Sequence, residues 1–504
     1  MKMARAEAQS LRRRIGDGSP ERFFWGRDAQ ACITDLVGGT SDFGGTSLVG
    51  GTGLVAGTSL VGGTSLGGRL EQLAGKSILL ATGSQLTTAL ALIELDGVAR
   101  RLTILPPDAD PDHFEAVLAG AEVDAVVHDR DLPVPLPSLP RTRGREGRGN
   151  VPLRVACAAE IVAGERLAAA SRDTEWVLLT SGTTGVPKMV VHGLDGLTAA
   201  FTRNKPNGPV MWGTFYDIRR YGGLQILLRA VLGGASLVLS SAGEPIAEHL
   251  DRLARHGVTH LTGTPSHWRR ALMSPAIRKI SPRYVRLSGE IADQAILDSL
   301  RNAFPQAAVG YAYASTEAGL AFEVNDGLTG FPASYVGPAR DGVEMKVEDG
   351  SLRIRSPRTA SRYIGGGPSQ LLDTDGFVDT GDMVELHGDR YVFAGRRGGI
   401  INIGGLKAHP EEIEAVINRH PQVRMSLVRS KASPITGSIV IADVVLKSGR
   451  KPAGDELHQV KGDILQLCRD ALPRHKVPAT ISFVPMLDFS STGKLARRQA
   501  EKNG

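Results

Sequence analysis

The sequence predicts a large α/β domain with parallel-rich sheets over residues 1–395, followed by a small α+β domain over residues 396–504. Three observations support this prediction. A chain of 504 residues is too long for one compact core. From Lys76 onward, apolar strand-like runs alternate with helix-like segments, as in parallel sheets covered by helices. After about Ser351 the predicted strands become shorter.

The first alternation predicts a βαβαβ unit. Its five segments are SILLATG (77–83), QLTTALALIELDG (85–97), RLTILPP (101–107), HFEAVLAGAE (113–122) and VDAVVHD (123–129). Apolar residues recur with helical spacing in the second segment, whereas the first is a continuous apolar run typical of a buried strand. A stretch rich in Pro, Gly and Arg over 132–150 predicts an exposed connection. Further strands are predicted to begin near Trp176, Ser236, Val258, Tyr284 and Ala308.

The C-terminal part has its own local signals. Residues 387–390 (HGDR) predict a hairpin turn between two short strands. A helix is predicted to begin at Pro410, because proline suits the first helical position and the glutamates that follow it suit the positive end of the helix dipole. Ile413, Val416 and Ile417 give this helix one apolar face, and Pro421 is expected to stop it.

Residues 38–67 form a tandem repeat of five six-residue units, such as GGTSLV. Hexad repeats build β-solenoids in some proteins. Five units are too few for two full coils, and their glycine content favours a flexible loop. We therefore expect this segment to be dispensable for activity.

Composition excludes several classes of protein. The chain is 41% hydrophobic and 22% charged, which is typical of a globular protein. Its three cysteines lie far apart, so neither a disulfide framework nor a metal site is indicated. No apolar run reaches the roughly 18 residues of a membrane span, and no signal peptide is evident. We expect a cytoplasmic protein without a membrane span.

The net charge of +6 is distributed unevenly. From Arg396 to the end there are 18 Lys and Arg against 10 Asp and Glu, so this segment carries +8 and the rest −2. Such a basic segment suits an anionic partner, although an ordinary solvated surface explains the charge equally well. No concentrated basic groove with aromatic residues is evident, so no nucleic-acid partner is expected.

The segment TSGTTGVPK (180–188) carries the strongest chemical signal. It lies between two apolar strands, and its glycines, hydroxyls and lysine suit a polyphosphate. It is not a Walker A loop, because Lys188 stands three residues after Gly185 and Met189 follows it. A surface turn rich in Ser, Thr and Gly is the alternative. The candidate nucleotide-binding residues here are Thr180, Ser181, Gly182, Thr183, Thr184, Gly185 and Lys188.

TSGTTGVPK closely resembles the phosphate loop of the adenylate-forming superfamily, which comprises acyl- and aryl-CoA ligases, peptide-synthetase adenylation domains and luciferases. Further segments resemble motifs of that superfamily in the same order: LSGE (287–290), YASTE (313–317), DGFVDTGD (375–382), GRRGGIINIGGLKAHPEEIE (395–414) and STGKLARR (491–498). The resemblance is strong from about 160 to 504. It implies a large α/β domain and a small C-terminal domain that rotates about a hinge.

The resemblance also implies roles for single residues. Lys494 matches the catalytic lysine that bridges the carboxylate and the α-phosphate. Thr316 would face that phosphate, and Glu317 would help to hold Mg²⁺, which prefers oxygen ligands. The remaining nucleotide contacts implied are adenine contacts from Gly289, Glu290 and Tyr313, and ribose contacts from Asp382 and Arg396.

A second half-reaction would bring a thiol to the acyl-adenylate. Gly398 matches the hinge position, where relatives usually carry Asp or Lys. Gly404, Gly405 and Lys407 match the stretch that lines the pantetheine tunnel. The basic segment would suit either the phosphates of coenzyme A or an acidic acyl carrier protein with a phosphopantetheine arm.

Two departures from the superfamily pattern concern the substrate. Ala314 replaces the usual glycine, and its methyl group would narrow the binding site near the adenylate. Arg219 stands where ligases often carry histidine, so Arg219 or Arg220 is a candidate for recognising a polar or acidic acyl group. The alternative is that both arginines are ordinary surface residues at the start of a helix.

These observations predict an ATP-dependent acid–CoA ligase that forms acyl-AMP, releases pyrophosphate and transfers a small carboxylic acid to coenzyme A. One alternative is an adenylation enzyme that loads a carrier protein in trans. Another is a nucleotide-binding homologue without catalysis, which the presence of Lys494, Glu317 and Asp382 disfavours.

Overall fold

A computed structural model gives the fold of this chain. The residues it describes are 10–15, 21–36, 63–64, 66, 70–129, 153–156, 162–163, 172–180, 187–201, 209–365, 370–433, 437–490 and 494–496.

Strands are numbered here in chain order. They are β1 (Phe23–Trp25), β2 (Gln30–Cys32), β3 (Gly63–Thr64), β4 (Ser77–Ala81), β5 (Arg101–Ile104), β6 (Ala125–His128), β7 (Leu153–Ala156), β8 (Val162–Ala163), β9 (Glu175–Thr180), β10 (Lys188–Gly193), β11 (Met211–Thr214), β12 (Ser236–Val238), β13 (His260–Gly263), β14 (Tyr284–Ser288), β15 (Ala308–Ser315), β16 (Gly319–Val324), β17 (Phe331–Pro332), β18 (Gly337–Arg340), β19 (Val343–Glu348), β20 (Ser351–Arg355), β21 (Arg362–Ile364), β22 (Val378–His387), β23 (Arg390–Arg396), β24 (Ile401–Ile403), β25 (Leu406–Ala408), β26 (Val423–Ser433), β27 (Gly437–Leu446) and β28 (Thr480–Phe483).

The α-helices are α1 (Leu11–Ile15), α2 (Leu70–Leu73), α3 (Gln85–Leu95), α4 (Phe114–Gly120), α5 (Leu194–Thr198), α6 (Tyr221–Gly233), α7 (Ile246–Arg255), α8 (Pro265–Met273), α9 (Gln294–Ala303), α10 (Pro410–Ile417) and α11 (Gly454–Ala471). Short 3-10 helices span Ile33–Leu36, Pro111–His113, Pro275–Lys279, Ala333–Tyr335, Arg397–Gly399 and Arg474–Lys476.

The chain groups into two compact units. The first comprises Met1–Leu261, Ser315–Gly319 and Pro357–Leu371, and the second comprises Thr262–Ala314, Leu320–Ser356 and Leu372–Gly504. This division follows contacts rather than sequence order. The start of a small domain at residue 396 stays a prediction.

A seven-stranded sheet forms the centre of the first unit, in the order β21-β10-β9-β5-β4-β6-β7. The five strands from β9 to β7 run parallel, whereas β10 and β21 are antiparallel to their neighbours. The sequence segments β4-α3-β5-α4-β6 are the predicted βαβαβ unit. Their spatial order places β4 between β5 and β6, because each connecting helix carries the chain over a face of the sheet.

Helices cover this sheet with apolar residues. All eleven residues of α3 are buried, which explains why its sequence is apolar around most of its circumference. Ser84 caps its N-terminus by accepting a hydrogen bond from the amide of Thr87. On α4, Phe114, Val117 and Leu118 pack in one cluster with residues of β4, β6, β9 and β10.

The first unit also holds two smaller groups of strands. Strands β11, β12, β1 and β2 are neighbours in that order, with β12 parallel to both β11 and β1. Strands β3 and β8 form an antiparallel pair, and Leu66, just after β3, is buried. Both β3 and Leu66 belong to the last of the five hexads, whereas the other four lie outside the described residues.

The second unit contains strands β16-β15-β14-β13 in that spatial order and a six-stranded sheet in the order β17-β23-β22-β20-β19-β18. In the latter sheet, β22 and β23 are antiparallel and His387 pairs with Arg390. The predicted hairpin at 387–390 is therefore confirmed. Gly388 lies in this turn and adopts a positive φ of 62°, a backbone conformation that favours glycine.

The C-terminal part of the second unit has an α+β arrangement. Strands β26, β27 and β28 form a sheet, and α10 and α11 share a hydrophobic core with it. On α11 the buried residues Val460, Ile464 and Cys468 recur every four positions and form one stripe. Helix α10 begins at Pro410 as predicted and ends at Ile417, before Pro421.

Within the described ranges, no helix combines the length and the apolar character that crossing a membrane requires.

Candidate active site

The phosphate-loop segment is held at both ends by a strand ladder in the first unit. Strand β9 ends at Thr180, β10 begins at Lys188, and these two residues are paired across the antiparallel ladder. The predicted placement of the loop between two strands is therefore confirmed. Five of its candidate residues lie outside the described residues: Ser181, Gly182, Thr183, Thr184 and Gly185.

The segment that contains Thr316 and Glu317 is fixed through its backbone. The carbonyl oxygen of Thr316 lies 2.8 Å from His192 Nε2, and the carbonyl oxygen of Glu317 accepts a hydrogen bond from the Ala360 amide at 2.9 Å. Gly319 has a φ of 75°, and a Cβ added there would lie 2.4 Å from the carbonyl oxygen of Arg358. Close backbone packing therefore sets the position of both candidate residues.

His192 is a residue that the sequence analysis missed. It lies on β10 and is buried. Desolvation lowers the pKa of His192 to about 4, although the hydrogen bond to Thr316 opposes this shift. The imidazole is thus neutral at physiological pH and carries its proton on Nε2, because a carbonyl oxygen can only accept. Its Nδ1 has no hydrogen-bond partner among the described residues.

Tyr363 on β21 interacts with two candidate residues of the first unit, Lys188 and Glu317. The Lys188 ammonium lies 5.6 Å from the centroid of the Tyr363 ring, within the range of a cation–π interaction. Burial, followed by the negative charge of Glu317 and a hydrogen bond with it, raises the pKa of Tyr363 to about 12. Its hydroxyl therefore stays protonated beside the Glu317 carboxylate.

The donor set around Glu317 fits Mg²⁺ only in the presence of a nucleotide. Among the described residues, no group of three or more His, Cys, Asp or Glu could hold a metal ion. Mg²⁺ is commonly bound through one or two carboxylates together with substrate phosphates and water. A single carboxylate such as Glu317 meets this requirement.

In the second unit, Asp382 links two other candidate residues. Tyr313 Oη donates to Asp382 Oδ2 at 2.5 Å, and Arg396 Nε donates to Asp382 Oδ1 at 2.9 Å. The pairing of Asp382 with Arg396 in the β22–β23 ladder places the arginine. Burial and the charge of Asp382 raise the pKa of Tyr313 well above its usual value, so its hydroxyl remains a donor. The contacts of these residues with adenine and ribose stay predictions.

Two phenylalanines support the Tyr313 ring, and the sequence analysis missed both. The rings of Phe322 and Phe393 are nearly parallel to it, with centroids 5.4 and 5.2 Å away. They lie on β16 and β23, and each belongs to an apolar strand pattern that looks like ordinary core. Only the packing of the two rings against Tyr313 in the folded structure shows that they support it.

Lys494 lies beside the LSGE segment. A Cβ added at Gly289 would lie 3.6 Å from Lys494 Cε and 3.8 Å from its Nζ. The following residue, Leu495, donates its amide to Glu290 Oε1 at 3.2 Å. The second unit thus brings together two segments that are about 200 positions apart in the sequence.

The predicted pantetheine stretch forms a hairpin. Gly404 and Gly405, with φ of 57° and 88°, make the two-residue turn between β24 and β25, a geometry that favours glycine at both positions. Lys407 on β25 is exposed. Gly398 lies in the short helix Arg397–Gly399. The tunnel, the hinge and the rotation stay predictions.

The two candidate substrate arginines have protein partners. Arg219 is 1% exposed, and its guanidinium bonds both carboxylate oxygens of Asp217 and the carbonyl oxygens of Thr82 and Gly83. Arg220 forms a bidentate pair with Asp108 at 2.6 and 2.7 Å. These contacts favour a structural role in fixing the turn before α6. A role in substrate recognition stays a prediction.

Residues 84–363 match the sequence model of the family described as AMP-binding enzyme, and residues 412–494 match that of the AMP-binding enzyme C-terminal domain. The chain belongs to the AMP-binding enzyme family. This result confirms the resemblance inferred from the ordered motifs.

Curated relatives of this AMP-binding enzyme are named as acyl-activating enzymes and CoA ligases. A probable peroxisomal acyl-activating enzyme 5 from Arabidopsis thaliana is 27% identical over 366 residues, covering 64% of each chain. A salicylyl-CoA synthase/salicylate adenylyltransferase from a Streptomyces species is 27% identical over 66% of this chain. A 2-succinylbenzoate–CoA ligase from Salmonella typhimurium is 25% identical over 85% of this chain and 87% of its own length. The first two are matched over only 64% of their own length.

Solved structures show the same fold. The anthranilate CoA ligase AuaEII in complex with anthranoyl-AMP has a TM-score of 0.74 at 16% identity, covering 97% of this chain and 96% of that one. ATP-bound MatB from Rhodopseudomonas palustris has a TM-score of 0.71 at 19% identity, covering 96% and 97%. These matches confirm the predicted fold class.

The AMP-binding enzyme thus holds its described candidate residues in two sets. The first unit brings Lys188 and Glu317 each into interaction with Tyr363 and fixes Thr316 through His192. The second unit joins Tyr313 and Arg396 through Asp382, and places Lys494 beside Gly289.

Proposed function

We propose that this protein is an acid–CoA ligase that works in two steps. In the first, a carboxylate oxygen attacks the α-phosphorus of ATP, the bond to the β-phosphate breaks, and acyl-AMP and pyrophosphate form. In the second, the thiol of coenzyme A attacks the acyl carbon and AMP leaves. The observation that carries this proposal is the position of Lys494 against Gly289, in the segment that resembles an adenine contact.

The charge of Lys494 explains the first step. A carboxylate and a triphosphate repel each other, and an ammonium group placed between them lowers the energy of the transition state more than that of the separate anions. Lys188 would contact the phosphates, as the resemblance of its loop implies. Asp382 would accept hydrogen bonds from the ribose hydroxyls, since each of its oxygens has a second lone pair. Mg²⁺, held by Glu317 and the phosphates, would neutralise part of the charge of the leaving group.

Coenzyme A is the favoured acceptor of the acyl group. Relatives are named for CoA ligation of salicylate and 2-succinylbenzoate, which supports CoA over a carrier protein. The basic C-terminal segment suits the phosphates of CoA. A requirement for Mg²⁺ and a cytoplasmic location belong to this proposal as well.

The test is ATP–pyrophosphate exchange that depends on a carboxylic acid, with a screen of aromatic, short and hydroxylated acids. We expect at least one acid to support exchange and thioester formation with CoA. Lys494→Met should lower the exchange rate by roughly 100- to 1000-fold, the effect of removing one preorganised charge or donor at a transition state. Lys451→Met, at another exposed lysine of the basic segment, is the matched control and should exchange normally.

Three results would contradict the proposal in different ways. If ATP binds but no acid supports exchange, the protein is a nucleotide-binding homologue without catalysis. If exchange occurs and only a phosphopantetheine carrier accepts the acyl group, the carrier-loading alternative is correct. If Lys494→Met makes acyl-AMP at the rate of the parent, the assigned role of the lysine is wrong.

A further inference from the structure

We propose that Glu290 is a positioning residue that holds the C-terminal turn carrying Lys494 in place for acyl-AMP formation. This inference rests on the proposed function for the role of Lys494. It assigns Glu290 a function different from the adenine contact that its motif implies. It is carried by the hydrogen bonds that Glu290 makes to two segments of the second unit.

Glu290 connects helix α8 to the C-terminal turn. Its Oε2 accepts the amide of Ser266 at 2.9 Å, and its Oε1 accepts both the hydroxyl of Ser266 at 3.0 Å and the amide of Leu495 at 3.2 Å. The three donors come from residues that are 24 and 205 positions away from Glu290 in the sequence. A carboxylate can accept them simultaneously because its two oxygens offer four lone-pair sites.

The end of α8 makes this position suitable for a negative charge. Ser266 lies in the first turn of α8, directly after Thr264 and Pro265, and its amide is one of the donors that the helix cannot satisfy internally. The helix dipole adds a favourable interaction with an anion there. Thr264 and His267 already cap each other's backbone in a capping box, so Glu290 supplies the acceptor for Ser266.

Backbone hydrogen bonds tie Lys494 and its described neighbours to residues 488–490. The Lys494 carbonyl oxygen accepts the Ser490 amide at 2.8 Å, and the Ala496 amide donates to the Asp488 carbonyl oxygen at 3.0 Å. Phe489 is paired with Leu495 in an isolated β-bridge, and the Arg270 guanidinium lies 5.2 Å from the Phe489 ring centroid. The turn therefore contacts α8 through Phe489 and is held to it again through Glu290.

This arrangement predicts that Glu290 serves only the step that needs Lys494. The amide bound by Glu290 belongs to the residue that follows Lys494, so its release frees the backbone at the lysine. The lysine side chain would then sample positions away from Gly289. Formation of acyl-AMP would slow, whereas attack of the thiol on acyl-AMP that is already formed would not.

The experiment separates the two half-reactions in Glu290→Gln. Glutamine keeps the shape but loses the charge and replaces one acceptor oxygen with a donor. We expect the rate constant for acyl-AMP formation to fall roughly tenfold, the range expected for a hydrogen bond to a charged group. The KM for ATP and the rate of thioester formation from supplied acyl-AMP should stay within twofold of the parent. Ser266→Ala, which removes only the hydroxyl donor, should give a smaller loss of the same kind.

Two comparisons make the result specific. In a Lys494→Met background, Glu290→Gln should cause no further loss of acyl-AMP formation, because both changes act through the same group. Glu344→Gln makes the same chemical change at an exposed ion pair with Arg355 and should leave both half-reactions unchanged.

A readout without catalysis keeps this proposal separate from the proposed function. Hydrogen exchange at the Leu495 amide should accelerate in Glu290→Gln and not in Glu344→Gln. If that amide exchanges at the parent rate, the positioning role of Glu290 is refuted even if activity falls. If Glu290→Gln raises the KM for ATP and for acyl-AMP alike, Glu290 contacts the nucleotide and the proposal is also overturned. If no acid supports ATP–pyrophosphate exchange in the parent, the proposed function fails. Hydrogen exchange at the Leu495 amide still tests whether Glu290 holds the C-terminal turn.

Discussion

Asp382 shows how one side chain can organise a nucleotide-binding region. It accepts the Tyr313 hydroxyl on one oxygen and Arg396 on the other. These bonds fix the plane of the carboxylate and leave one lone pair on each oxygen for a ligand. The geometry supports the ribose contact implied by the DGFVDTGD motif.

We therefore predict that Asp382→Asn raises the KM for ATP by roughly tenfold, because the amide keeps only one acceptor oxygen and loses the charge that strengthens its hydrogen bonds. Steady-state exchange kinetics at varied ATP measure this effect. Asp375→Asn is the matched control, since Asp375 is an exposed residue of the same motif that pairs with Lys346 at 3.4 Å. Equal KM values for the two variants would contradict the role of Asp382.

His192 affects stability through its protonation. Because the pKa of His192 in the folded protein is about 4 and its ordinary value is 6.5, the unfolded chain binds more protons than the folded protein between these pH values. The contribution of neutral His192 to the free energy of unfolding is therefore fully present above pH 6.5, and it decreases as the pH drops toward 4. At about 1.4 kcal/mol per pH unit, the loss is on the order of 3 kcal/mol.

His192→Gln should remove this dependence while keeping a donor for the Thr316 carbonyl. We predict that the melting temperature of the parent falls by more than that of the variant when the pH is lowered from 6.5 to 4. Thermal unfolding of both proteins across this range measures the difference. Burial raises the pKa of Asp96 to about 6, which changes stability in the opposite direction, but Asp96 is present in both proteins and cancels in the comparison. Parallel pH profiles would refute the assignment.

At the scale of elements, the connection from β15 to β16 decides where Thr316 and Glu317 lie. It is anchored by the Ala360 amide and by close packing of Gly319 on the Arg358 carbonyl oxygen. Gly319 is required for two reasons, its positive φ of 75° and the absence of space for a Cβ.

Gly319→Ala should therefore move the connection and lower acyl-AMP formation several-fold. It should also destabilise the fold by about 1–3 kcal/mol, the typical range for overpacking. Gly388→Ala is the control, because Gly388 has a φ of 62° but no atom within 4 Å of the added Cβ. We expect this control to lose some stability and no activity, as measured by thermal unfolding and exchange assays. Full activity in Gly319→Ala would contradict the packing argument.

At the scale of the whole molecule, the hexad repeat divides into two parts. The last hexad contributes β3 and the buried Leu66 to the first unit. The other four hexads lie outside the described residues. The expectation of a dispensable segment, made from the sequence, is therefore tested on residues 38–61.

We predict that deletion of residues 38–61 leaves the exchange rate within about twofold of the parent and changes the melting temperature little, because longer loops cost little extra closure entropy. Leu66→Ala in the last hexad should instead destabilise the protein by about 2–5 kcal/mol, the range for truncating a buried leucine. Both proteins are compared by thermal unfolding and exchange. Loss of activity in the deletion variant would show that the repeat has a function.

Local signals in the sequence determined several secondary-structure elements, the family and some of the candidate site residues. The βαβαβ alternation, the hairpin at 387–390 and the start of α10 at Pro410 were predicted correctly, because each depends on residues close together in the chain. The ordered motifs likewise identified the family. Through that resemblance they also named Asp382, Glu317 and Lys494 as candidate site residues.

Tertiary structure decided which partners those residues have. Four contacts join residues that are remote in the sequence: the support of Thr316 by His192, the stacking of Phe393 on Tyr313, the enclosure of Arg219 and the bond from Leu495 to Glu290. A buried histidine or phenylalanine in a strand has the same local pattern whether it supports a site or only fills a core. The difference lies in long-range packing, which no single segment of sequence encodes.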